Sequence, residues 1–133
     1  MTAASHSVVM LCDRLLALHA EREQLHLDYG RHEESLCLWL DKAGLRLAEA
    51  DDLPEGRLLS AISDRLSSSI EESRGLLAEL ARHRPDKLSE IGATLKVAAA
   101  LIDPQDEPEV HALISWAAGR VSTAAQATNA ASL

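Results

Sequence analysis

The segment SVVMLCDRLLALHAEREQLHLDYGRHEESLCLWLDKAGLRLAEA, Ser7–Ala50, contains no proline and places its apolar side chains at alternating steps of three and four. The series runs Val8, Leu11, Leu15, Leu18, Arg22, Leu25, Tyr29, His32, Leu36, Trp39, Ala43, Arg46. Such spacing keeps successive side chains on one side of an α-helix and makes a heptad-like seam with polar insertions. Leu16, Leu27, Leu38, Leu40, Leu45 and Leu47 widen the stripe, as a helix does when it packs against more than one neighbour. A helix over 5–49 measures about 68 Å, whereas a compact chain of this size has a radius of gyration of roughly 14 Å. The spacing therefore predicts either a bend or break at Gly30 or Gly44, or cover from a long partner such as a second copy.

Pro54, Pro85, Pro104 and Pro108 divide the remaining sequence into helical lengths. In DDLPEG, Asp52 is the expected N-cap of a second helix over 53–83, with Glu55 three residues on and Pro54 in the first turn. Its expected inner face is Leu59, Ile62, Leu66, Ile70, Leu77 and Leu80, softened by Ser67–Ser69. A third helix over 86–101 is expected to bury Leu88, Ile91, Leu95, Ala98 and Ile102. DPQDEPEV breaks it, and a fourth, capped by Asp103 or Asp106, runs over 104–125 on Val110, Leu113, Ile114, Ala117 and Val121 before a frayed tail. No linker-like composition and no internal repeat interrupts the chain, so residues 1–133 read as a single all-α domain. The expected architecture is an elongated three-to-four-helix bundle with a long first helix and up-down connections.

At 133 residues, with 47% apolar and 26% charged side chains, the chain has enough material for a core without metals or disulfides. Phenylalanine is absent and tyrosine occurs once, so the core is aliphatic and offers few rings on which a base could stack. A formal charge of −8 repels phosphate, which argues against nucleic acid and anionic membrane as partners. No apolar run has the length of a membrane span, and the N-terminus lacks the features of an export signal. Cys12 and Cys37 form neither a disulfide framework nor a CxxC site and read as small buried hydrophobes in a cytoplasmic protein.

His19, Glu23, His26, Gly30, Glu33 and Cys37 fall on one stripe beside the seam. Imidazole, carboxylate and thiolate are ligands for zinc or a related ion, provided another helix supplies the rest. Two histidines seven residues apart on a straight helix are about 10 Å apart and cannot share one ion. The chain has no second ExxH motif of the kind that di-iron bundles require. The stripe therefore reads as a polar flank, and no metal or cofactor is expected. The Asp103–Glu109 turn lacks the order of a calcium loop, and no phosphate-binding, zincin or hydrolase motif is present.

The stretch CDRLLALHAEREQLHLDYG, Cys12–Gly30, resembles the first long helix of the all-helical chorismate mutases, whose dimers combine one very long helix with two shorter ones. The resemblance implies a cationic grip on a dicarboxylate substrate, with Arg22 in one such role. Aligned on the leucines, that family's earlier arginine falls near Ser5 and its later lysine near Glu33, where an acidic residue reverses the required charge. Polar seam residues more generally set register or orientation between helices, and Tyr29, Trp39 and Trp116 are ring types common in protein interfaces. The expected function is a protein-interaction or adaptor module that self-associates as a homodimer. The contact expected is made by Leu18, Arg22, Leu25, Tyr29, His32, Leu36 and Trp39, with a metal-binding or catalytic bundle as the alternative.

Overall fold

A computed structural model describes residues 3–46, 49 and 53–131. They form four α-helices and, among the described residues, no strand: α1 (Ala3–Ala43), α2 (Pro54–Arg82), α3 (Leu88–Leu101) and α4 (Pro108–Ala131). The all-α class expected from the spacing is therefore found. None of the described helices is long and apolar enough to cross a membrane.

The break in the first segment falls at Gly44, whereas Gly30 lies inside an uninterrupted helix. Gly44 takes φ +67°, the left-handed conformation. Its N–H donates to the Asp41 carbonyl and that of Leu45 to the Leu40 carbonyl, which closes the helix in a Schellman motif. Arg46 consequently lies beyond α1, and Leu47 is outside the described residues. The two glycines predict opposite results. Gly44→Ala is expected to cost about 1 kcal/mol, because an L side chain is strained at this φ. Gly30→Ala is expected to add about 0.5–1 kcal/mol, because alanine is the better helix former and nothing lies within 4 Å of a Cβ there. Urea midpoints of the two variants should move apart.

Proline opens two helices by the same device. The Leu53 carbonyl accepts from Arg57 N, and the Glu107 carbonyl accepts from His111 N. Pro54 and Pro108 thus occupy first helical positions, where a missing N–H leaves no acceptor unsatisfied. The expected Asp52 cap lies outside the described residues. For α4, neither Asp103 nor Asp106 is the cap: Asp103 accepts a hydrogen bond from Gln105 N in the preceding turn, and the helix begins only at Pro108. It then continues to Ala131 rather than ending near 125, as its alanine-rich sequence permits. At α3 the Lys87 carbonyl accepts from Ile91 N, while Glu90 Oε1 accepts from Lys87 N, half of a capping box.

The chain divides into two compact units, Met1–His19 with Arg74–Leu133, and Ala20–Ser73. In the first, Val8, Leu11, Cys12 and Leu15 of α1 meet Leu80 of α2 and Val97 of α3. Leu16, Leu76 and Ala93 pack on this cluster. On another side of α3, a Cβ on Gly92 would stand 3.1 Å from Ser122 Oγ, so α3 and α4 approach closely. In the second unit, Leu36 and Leu40 of α1 bury against Leu59 of α2, with Tyr29 and Leu53 beside them.

Three inner faces differ from the expected ones. On α2 the seam runs Leu59, Ile62, Leu66, Ser69, Ser73, Leu76, Leu80, whereas Ile70 and Leu77 are exposed. Steps of three and four alternate strictly along that line, and two buried serines are accepted because a donor faces them. On α3, Leu88 is exposed, while Gly92, Val97 and Ala99 are buried. This helix is covered on more than one side, so no single stripe describes it. On α4, Val110 and Leu113 are exposed, Ile114, Ala117 and Val121 are half-buried, and the buried positions are Ala118 and Ala125. The close approach at Gly92 admits small side chains there.

Candidate interaction site

The α1 seam meets α2 within the second unit. Nη1 of Arg22 donates to Ser69 Oγ at 3.1 Å, to the Ser69 carbonyl at 3.4 Å and to Ser73 Oγ. Ser69 and Ser73 are both buried. Polar seam residues were expected to set register or orientation between helices, and the family resemblance implied a dicarboxylate at Arg22; its partners here are hydroxyls and a carbonyl of the same chain. Beside this layer Arg65 Nε pairs with Glu21 Oε1, both about one-third exposed. Asp28 accepts from Gln24 and Arg31 on the surface, which holds its carboxyl below the ordinary value.

The remaining expected contact residues separate into three groups. Leu18 and Leu36 are buried. Leu25, Tyr29 and His32 are half-buried, Tyr29 against the Leu36–Leu40–Leu59 cluster. Trp39 is 46% exposed and follows the exposed Leu38. Self-association through the whole seam would have to displace side chains that this chain already covers, whereas Leu38 and Trp39, like Met10 and Leu27 earlier on α1, are exposed.

The His19–Cys37 stripe lies on the other flank. Glu23, His26, Gly30, Glu33 and Cys37 are exposed and His19 is half-buried. Among the described residues no three His, Cys, Asp or Glu side chains converge as an ion would need. Cys37 departs from the buried position expected for it: it is exposed, on the flank of α1 beside the buried Leu36 and Leu40. Cys12 is buried, 4.0 Å from Thr94 Oγ1, and burial pushes its thiol pKa up. A buried, protonated thiol is a poor nucleophile. In the native protein Cys37 is therefore expected to react with a disulfide reagent within minutes, and Cys12 only after denaturation. Equal rates at the two thiols would contradict the packing around Cys12.

Cys12 also lines an open groove of about 330 Å³ between α1, α3 and α4, with Asp13 and Lys96 at its sides. The thiol there is raised by its burial first and then by the neighbouring Asp13 carboxylate, both of which disfavour the thiolate.

Sequence reasoning missed Ser69 and Ser73 as the partners of Arg22. Their signal was available in the steps that join them to Leu66 and Leu76, but serine in an apolar series reads as an interruption. No protein-family model, no curated protein and no solved structure matches this chain, so what it does has to be read from its own side chains.

Proposed function

We propose that the chain is a protein-interaction module, a helical scaffold that binds another protein through the end of α1. The observation that carries this reading is the pair Leu38 and Trp39, adjacent large apolar side chains, both exposed, on a helix whose inner side is already packed. Tryptophan in such a position is the residue type most often found to dominate binding energy. Nearby Leu45 and Leu58 are exposed as well, so the apolar character belongs to this end of the unit and not to one residue. No comparable feature favours catalysis: among the described residues no three His, Cys, Asp or Glu side chains converge.

A photocrosslinking amino acid at position 39 tests the reading. In native extract it should give one discrete adduct, and Leu38→Asp should abolish that adduct. Trp39→Ala, an exposed truncation, should leave unfolding within about 0.5 kcal/mol of the parent, whereas Tyr29→Ala should destabilise the fold because it empties part of the cluster. An adduct of twice the chain mass would assign the contact to self-association through α1. The absence of any discrete adduct would refute the reading.

A further inference from the structure

We infer that the outward face of α4 is the contact surface for a second copy of this chain, the two α4 helices lying antiparallel about a twofold axis between Ala118 and Gly119. Val110, Leu113, Ala117, Arg120, Ala124 and Ala127 succeed one another at steps of three, four, three, four and three, and so share one stripe. All are exposed except Ala117, which is half-buried. Leu113 and its neighbour Trp116 are each 68% exposed, more than any other large apolar residue described. The opposite side of α4 is occupied, with Val121 and Ser122 against Gly92 of α3.

The order of residues identifies the occupant. This run of steps reads the same from either end, so an antiparallel copy pairs Val110 with Ala127, Leu113 with Ala124 and Ala117 with Arg120. The first half of the stripe is bulky and the second half is small. Antiparallel pairing therefore sets a large side chain against a small one in the two outer layers, the complementarity of interdigitated helices. Parallel pairing would place Leu113 on Leu113 and Ala124 on Ala124, crowded at one end and void at the other. A twofold contact requires a patch that is its own complement, and this stripe is one.

Charge points the same way. Two copies of a chain carrying −8 repel each other, yet residues 110–131 contain no Asp or Glu, and Arg120 is the only residue there with a formal charge. Its guanidinium lies over the Trp116 ring, 5.9 Å from the centroid, so the cation is held along the aromatic face at the margin of the stripe. Contact here brings no carboxylates together, and the two Arg120 cations that flank the axis, each over its own Trp116 ring, are its one like-charge pair. The stripe is about 26 Å long and offers on the order of 400 Å² per copy, roughly half of a standard interface. The pairing is thus a weak, concentration-dependent dimer, separate from the proposed contact at Trp39, and either can fail without the other.

Sedimentation equilibrium on the full chain, from about 10 μM to 1 mM, tests it. A reversible monomer–dimer equilibrium is expected. Leu113→Ala and Ala124→Leu should each weaken it about tenfold, the first by removing the bulky group and the second by filling its recess. The double variant Leu113→Ala/Ala124→Leu exchanges the two sizes across the twofold and should restore the dimer to within about threefold of the parent. These positions are exposed, so circular dichroism should show unchanged helix content; if one of the pair misfolds, Val110→Glu, which puts a carboxylate in the contact, serves instead and should abolish the dimer. Monomer at every concentration would overturn the inference. So would a double variant no better than either single change, a dimer indifferent to Val110→Glu, or a dimer lost in Trp39→Ala.

Discussion

Leu18→Ala is expected to remove about 2–5 kcal/mol of stability, the range for emptying a fully buried leucine site. Leu18 is 0% exposed, and Leu15, three residues earlier on the same seam, is 2% exposed. Truncation at either position loses the transfer energy of the deleted carbons and leaves a cavity that helix backbones relax into only partly. Domains of this size retain only about 5–15 kcal/mol in total, so the loss is a large share of it. Urea denaturation at several protein concentrations measures the effect and separates two explanations. A leucine buried by its own chain destabilises equally at all concentrations, whereas one covered by a partner would show its cost only where the partner is bound. A loss below 1 kcal/mol, or one that grows with concentration, would contradict the burial seen in the single chain.

At the polar layer, removing one side and removing both are expected to have opposite results. Arg22→Leu takes away the donor that Ser69 and Ser73 share and should cost about 1–3 kcal/mol, because buried hydroxyls left without a partner keep their full desolvation penalty. Serine can turn its hydroxyl to the carbonyl one helical turn back, which places the cost toward the lower end of that range. The triple variant Arg22→Leu/Ser69→Ala/Ser73→Ala replaces the layer by apolar contacts and should be neutral or more stable than the parent, as replacing buried polar groups together often is. What the triple variant gives up is discrimination: a uniformly apolar seam matches its neighbour in more than one register, which a donor aligned with two serines does not permit. A mutant cycle over the three positions measures the coupling. Additive single costs, with a triple variant as unstable as their sum, would show that Arg22 and the serines do not act together. The neighbouring Glu21–Arg65 pair is partly exposed, so solvent screens it and it adds little to stability.

How much was legible from the sequence differs from helix to helix. On α1 the inner positions were read correctly from Val8 through Leu18 and again at Leu36, because one dominant apolar line leaves a long helix little choice of which side to bury. The same reading failed on α2, where Ile70 and Leu77 were preferred to Ser69 and Ser73. Hydrophobicity ranks isoleucine above serine at any single position, and only the opposing Arg22 reverses the order. On α3 the expected line began at Leu88, which is exposed, whereas Gly92, Val97 and Ala99 off that line are buried. On α4 the rule inverted: Leu113 and Trp116, the bulkiest residues, are outside, and Ala118 and Ala125 are inside, because Gly92 draws the helix axes too close for large side chains. The candidate contact at Trp39 was visible as a residue type, whereas its distinction from Leu18 and Leu36 on the same seam was not.

Local chemistry determined the helical class, the proline in the first turn of α2 and the candidate stop at Gly44, since these depend on backbone geometry and on residues within one or two turns. Which side of each helix is covered, which thiol is hidden and what Arg22 binds depend on groups 47 to 82 positions away in the chain. Burial is set by the neighbour that arrives, and no periodicity within one helix specifies that neighbour; only the packed chain does.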